Sequence, residues 1–179
     1  MSGALPLVLD LAQAARQDTR VHGQLEISSM PRLLAVLASG DGEASVDLHS
    51  KLDPGGQRII SGRIDARVSL SCQRCLEPMI FEAHAEPLLA WVKSEDEAAA
   101  LPEEYEPLLA PDGRVVLADL VADELLLALP LAPRHETSDA CGRLAKACVR
   151  YEEVDCSEES SALSDEYCWV RLAESALIC

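Results

Sequence analysis

The chain has 179 residues, 49% of them apolar, which is enough for one domain with a hydrophobic core. A formal net charge of -16 would repel a phosphate backbone, and 3% aromatic content excludes an array of rings for stacking on bases. No segment approaches the roughly 18 apolar residues of a membrane span, and no export signal is recognisable, so we expect a soluble, cytoplasmic protein with no membrane partner.

The first forty residues carry signals for a helix, a strand and a second helix. Asp10 is a candidate N-cap for a short helix within 7–16. Apolar and polar residues alternate over 21–28, as in a half-buried strand. Pro31 suits the first turn of another helix, and Gly40 suits its end.

The next segments have the alternation of an antiparallel meander. The turn signal Asp53-Pro54-Gly55-Gly56 separates two alternating stretches, and a third arm follows at 81–86. The clearest strand follows that turn, and its inward residues are Ile60, Ile64, Val68, Leu70 and Cys72. We therefore expect residues 21–92 to form a meander, or partly closed sheet, with one polar face.

The second half of the chain is more acidic. Residues 94–112 contain clustered glutamates and prolines and predict a solvated connector. Residues 114–117 predict a short strand, and helical spacing of apolar residues predicts a helix over 119–129. The predicted fold class is α+β: an antiparallel meander with a few short helices in one domain, 1–147. A divergent, cysteine-containing acidic tail, 148–179, follows, and its composition allows a flexible segment.

Cys72-Gln73-Arg74-Cys75 places two thiols at the end of the clearest strand. This spacing lets a turn offer two ligands to one Zn²⁺. Seven cysteines fit a complete disulfide framework badly. The predicted set is Cys72, Cys75 and Cys141 with either His135 or Cys148. The competing interpretation makes Cys72 a small core residue and Cys75 an incidental exposed thiol. A redox pair is disfavoured because thioredoxin-like chemistry places the pair at a helix N-terminus.

Two groups of charged residues are candidate contact surfaces. The basic group lies along and near the clearest strand, where it could meet a phosphate or an acidic peptide, and comprises Arg58, Arg63, Arg67 and Arg74. Asp65 among these arginines favours cross-strand ion pairs instead. The acidic group could meet a basic partner, although such runs are usually solvated, and comprises Glu103, Glu104 and Glu106.

Three ordered blocks resemble the YceD family, also known as the domain of unknown function 177. The blocks are 70–78, 101–107 and 123–130, followed by Pro133, His135 and Cys141, and the resemblance runs from about residue 5 to residue 141. It implies that the family's cysteine pair, histidine and later cysteine fall on Cys72, Cys75, His135 and Cys141. From Cys148 the sequence departs from the Lys-rich end common in the family. Either the lineage replaced that end or the reading frame changed.

The resemblance implies a non-catalytic ribosome-biogenesis factor, and not an enzyme. Such a factor supports synthesis, processing or stability, and hence accumulation, of large-subunit 23S ribosomal RNA. Its expected partners are the precursor of that RNA or ribosomal proteins, whose basic character suits an acidic chain. The one cofactor considered is a structural Zn²⁺. The alternative is a zinc- or thiol-dependent enzyme or redox protein using Cys72 and Cys75. The sequence contains no phosphate-binding glycine loop and no nucleophile elbow.

Overall fold

The computed structural model describes residues 5–137 and 140–141. The chain divides into Met1–Arg134 and His135–Cys179, and every element described below belongs to the first unit. The α+β class is confirmed. In chain order the elements are β1 (Val8–Asp10), α1 (Leu11–Arg16), β2 (Thr19–Glu26), α2 (Pro31–Leu34), β3 (Glu43–Leu52), β4 (Arg58–Ser71), β5 (Pro78–Ala85), β6 (Leu88–Val92), α3 (Glu95–Ala99), β7 (Glu106–Leu109), β8 (Arg114–Val116) and α4 (Leu117–Ala128).

The first predicted helix has its expected N-cap, and the second is shorter than its sequence signals. Asp10 caps α1 as predicted, because its carboxylate accepts a 2.8 Å hydrogen bond from the Gln13 N–H. The residues before this helix form β1, which pairs antiparallel with β8. Helix α2 begins at Pro31 but ends at Leu34. The chain then leaves the helix, and the Ala38 N–H donates to the Ser69 carbonyl at 2.8 Å.

Strand β4 is the centre of the main sheet. One of its edges pairs with β3 from Arg58 to Ala66. The opposite edge pairs first with β6, over residues 59–61, and then with β5, over residues 64–71. Gly62 lies where the partner changes, with φ +157°, and a Cβ there would clash with the Asp47 carbonyl oxygen. The close approach of β3 and β4 therefore requires glycine at this position.

The predicted meander holds only as far as β5. Strand β6 returns to pair with β4, and β7 adds parallel to β6, so the strand order is β2-β3-β4-β6-β7 with β5 also on β4. The predicted connector also contains α3. Its N-cap is Ser94, whose hydroxyl accepts from the Glu97 N–H at 3.3 Å. Three acidic residues in its first turn favour this short helix through its dipole.

The core lies between the inward face of the sheet and α4. The predicted inward residues of β4 are confirmed, since all five are at most 3% exposed. Helix α4 begins two residues before its predicted start and covers this face with Leu120, Val121 and Leu125. Burying each such side chain stabilises the fold by about 2 kcal/mol. No helix among the described residues is long and apolar enough to cross a membrane.

Candidate metal centre

The chain reverses direction between β4 and β5 in a turn formed by residues 72–77, here called the cysteine turn. The Cys72 N–H donates to the Glu77 carbonyl at 2.9 Å, and the Leu76 N–H donates to the Cys72 carbonyl at 2.8 Å. Leu76 is 71% exposed and has φ +60°, a left-handed conformation that costs a leucine about 1 kcal/mol. A residue beyond the turn also stabilises it, because the Gln73 N–H donates to the Pro133 carbonyl at 2.8 Å.

Both cysteines of this turn are buried. Cys72 is 0% exposed and Cys75 is 1% exposed. The interpretation of Cys75 as an incidental exposed thiol is therefore wrong. The pair lies in a strand-to-strand turn rather than at the helix N-terminus that thioredoxin-like redox chemistry uses.

The other two predicted ligands also approach each other. The Nδ1 atom of His135 and the Sγ atom of Cys141 are 3.5 Å apart. Zinc–nitrogen and zinc–sulfur bond lengths place the N and S atoms of a tetrahedral site about 3.6 Å apart. The observed separation therefore fits two ligands of one zinc ion.

The structure brings all four predicted ligands together. The ligand atoms of Cys72, Cys75, His135 and Cys141 all lie within 4.8 Å of one another. Two thiolates on one tetrahedral zinc are about 3.8 Å apart, so this cluster has the size of a metal site. Three sulfurs and one imidazole nitrogen are a donor set that zinc prefers. Cys148, the alternative to His135, lies outside the described residues.

The four predicted arginines are spread from the start of β4 to the cysteine turn. Arg63 donates to the Glu86 carboxylate at 2.9 Å, and that bond raises the pKa of its guanidinium. Arg67 lies opposite Glu82 in the ladder. Arg58 lies at the start of β4 with its Cζ 5.0 Å from the centroid of the Trp91 ring, while Arg74 lies in the cysteine turn. Arg63 thus forms an ion pair with a carboxylate that lies one residue beyond the end of β5.

The acidic group has a neighbour that the sequence did not mark. Glu103, Glu104 and Glu106 are exposed. Between them, the hydroxyl of Tyr105 donates to the Asp53 carboxylate at 2.8 Å. This bond is the main cause that lowers the pKa of Asp53 and raises that of Tyr105 to about 12. The only available signal was the position of Tyr105 inside the second resembling block, 101–107.

These observations define a small α+β protein whose sheet ends in a buried turn with a zinc-type donor set. The sequence model described as "Large ribosomal RNA subunit accumulation protein YceD" matches residues 60–173. A Haemophilus influenzae protein with the same description is 34% identical over 138 residues, which are 76% of this chain and 79% of the relative. The chain therefore belongs to the YceD family. No solved structure matches it significantly.

Proposed function

We propose that this protein is a non-catalytic ribosome-biogenesis factor that supports accumulation of large-subunit 23S ribosomal RNA. The observation that carries this proposal is the 34% identity to a relative described as a large ribosomal RNA subunit accumulation protein. The proposal extends that relative's description to this chain. The partner is the RNA precursor or a ribosomal protein, and the net charge of -16 favours the basic protein.

The non-catalytic part of the proposal is supported by the burial of the thiols. Cys72, Cys75 and Cys141 are each at most 2% exposed. A catalytic zinc keeps one coordination position for water or substrate, whereas a structural zinc is closed by four protein ligands. A set of three buried cysteines and one histidine is of the second kind.

We also propose that Zn²⁺ is the resident metal and that its role is structural. The ligands would be Cys72, Cys75, His135 and Cys141, whose mutual distances support this assignment. When bound, zinc would cross-link residues that lie far apart in sequence and would stabilise the folded chain through its binding free energy.

The proposed cellular role is tested by deleting the gene and separating ribosomal particles on a sucrose gradient. The expected result is a loss of mature 23S RNA and of free large subunits, with the small-subunit RNA unchanged. A plasmid copy of the wild-type gene should restore both. Normal levels of precursor and mature 23S RNA in the deletion strain would overturn the proposal.

The metal assignment is tested by elemental analysis of the full-length protein purified without oxygen. We expect one zinc per chain, and Cys75→Ser should lose it. Cys179→Ser is the matched control, since this cysteine is not in the proposed ligand set and its replacement should keep the metal. Cys148→Ser distinguishes the two ligand sets. Loss of zinc in this variant would mean that Cys148, and not His135, is the fourth ligand. Wild-type protein without zinc would contradict the assignment.

A further inference from the structure

The outer edge of β5 carries backbone groups that no described strand pairs. The bond from the Cys72 N–H to the Glu77 carbonyl marks these two residues as a hydrogen-bonded pair of the β4–β5 ladder. Along an antiparallel strand, residues whose backbone N–H and C=O groups point toward the paired strand alternate with residues whose groups point away from it. The N–H and C=O groups of Ile80, Glu82 and His84 therefore point away from β4. Within residues 5–137, the strand order places no neighbour on that side.

This edge lacks the usual protection against strand addition. Natural edges are commonly protected by lysines, by an internal proline or by very short length. Strand β5 has eight residues, and its prolines lie only at or beyond its ends, at Pro78 and Pro87. No lysine or arginine occurs over residues 75–92.

The side chains along the edge indicate the charge of its occupant. Ile80 is 56% exposed and offers an apolar contact. Glu82 is an exposed carboxylate of the strand, and Glu86, one residue beyond the strand, is already paired with Arg63. An extended segment with a basic residue opposite Glu82 and apolar residues on the core-facing side, beside Met79 and Phe81, would complement this edge, whereas a second acidic copy of the chain would be repelled.

We infer that the outer edge of β5 binds an extended basic segment of another protein by strand addition. Its backbone would complete the hydrogen bonds of Ile80, Glu82 and His84, while a basic side chain meets Glu82. The inference rests on the proposed function for the class of client, because protein components of the ribosome are generally basic. It assigns the contact to protein rather than to RNA.

The first test uses a fluorescent peptide of about ten residues in which Lys and Val alternate, long enough to span one strand. Anisotropy with the purified full-length protein should report binding. A second peptide of the same sequence carries N-methyl groups on alternate residues, which remove its ladder donors and leave its charges. We expect its affinity to be lower by about tenfold or more. Equal affinities would overturn strand addition.

The second test locates the binding. Glu82→Lys should weaken the unmodified peptide by about fivefold, since it reverses one cross-strand charge pair. Glu103→Lys makes the same change in net charge at another exposed site and should leave the affinity nearly unchanged. Hydrogen exchange of the Ile80, Glu82 and His84 amides should slow when the peptide binds. Unchanged exchange at these amides would overturn the inference.

Two further outcomes would assign the edge to another occupant. Slowed exchange that depends on protein concentration without peptide would mean a second copy. Protection by a single-stranded RNA oligonucleotide, but not by the peptide, would mean RNA. Either result would overturn the inference. If the peptide fails while gene deletion still depletes 23S RNA, only the docking surface is lost and the proposed function stands.

Discussion

The two ends of β4 are held by different chemistry. At its start, the hairpin turn of residues 53–57, here called the glycine turn, is closed by oxygen and nitrogen groups. The Asp53 carboxylate accepts from the Gln57 N–H at 2.7 Å and from the Tyr105 hydroxyl at 2.8 Å. At its end, the cysteine turn presents two buried thiols. The first end is thus held by hydrogen bonds to Asp53, one of them from the distant Tyr105, whereas the second presents thiols whose proposed partner ligands lie far away in sequence.

The largest effect is expected between the two ends, at Gly62. Gly62→Ala forces the backbones of β3 and β4 apart, so both turns lose their alignment. We expect a loss of about 3 kcal/mol and a Tm lower by about 10 °C, measured by thermal and urea unfolding. Gly56→Ala is the control, because Gly56 also has a positive φ but no atom within 4 Å of its Cβ position. Equal losses in the two variants would contradict the steric explanation.

The second prediction breaks the cysteine end alone. If the cluster holds zinc, a chelator should lower the Tm of the wild type by about 5 °C or more. Cys75→Ser should start from a similarly low Tm and should not respond to the chelator. Hydrogen exchange should rise at the cysteine turn and stay slow at the glycine turn. Simultaneous loss of protection at both turns would mean that the two ends are not independent.

The sequence predicted the strands better than it predicted their partners. Alternation identified the inward face of β4, because a period of two depends only on neighbouring residues. It could not reveal that β4 changes partner at Gly62 or that β7 pairs parallel to β6, since both depend on distant segments. Helix α2 is short for the same reason, because the Ala38 N–H bonds to Ser69 instead of continuing the helix.

The candidate metal site, like the fold, was only partly predictable from the sequence. The spacing of Cys72 and Cys75 identified half of the cluster, and the segment after α4 supplied the other candidates. Local sequence could not choose between His135 and Cys148, because ligand geometry depends on the folded chain. Tyr105 was missed because its partner, Asp53, is far away in sequence. A tyrosine among glutamates gives no local signal of a hydrogen bond across such a separation.

The third prediction breaks the glycine end. Tyr105→Phe removes the hydroxyl bond to Asp53 and should lower the Tm by about 2 °C. Because the pKa of Tyr105 is raised, the stability that its hydroxyl bond contributes is fully present below pH 10.0 and is lost as pH rises through about 12. Because the pKa of Asp53 is lowered, the stability that its carboxylate contributes is present above pH 3.8 and is lost in stronger acid. The Tm of the variant should therefore differ most from that of the wild type between these two pH limits. A Tm difference that does not depend on pH would contradict the bond.

The smallest expected effect concerns the acidic segment of residues 94–124. Residues 94–124 contain ten acidic residues and one basic residue, whereas residues 43–86 contain seven and five. Burial, then Glu106 and Asp123, raise the pKa of Glu124. Its ionised form therefore destabilises the fold, and stability is lost as pH rises through the raised pKa. Glu124→Gln should raise the Tm by about 1 °C at neutral pH.

The control for this change is Glu103→Gln, which removes the same charge from an exposed site. It should leave the Tm unchanged within error. The gain from Glu124→Gln should disappear below pH 4.5, where the unfolded carboxyl is protonated. A gain of the same size in acid would mean that packing, and not charge, is responsible.

The order of the ligands along the chain has a consequence for synthesis. Cys72 and Cys75 leave the ribosome together, and His135 follows about sixty residues later. At bacterial and eukaryotic elongation rates of about 5–20 residues per second, this interval lasts about 3–12 s. During that time the nascent chain presents two thiols and no complete ligand set. We expect oxidants to act on this interval of translation more than on the finished protein, in which the same sulfurs are buried.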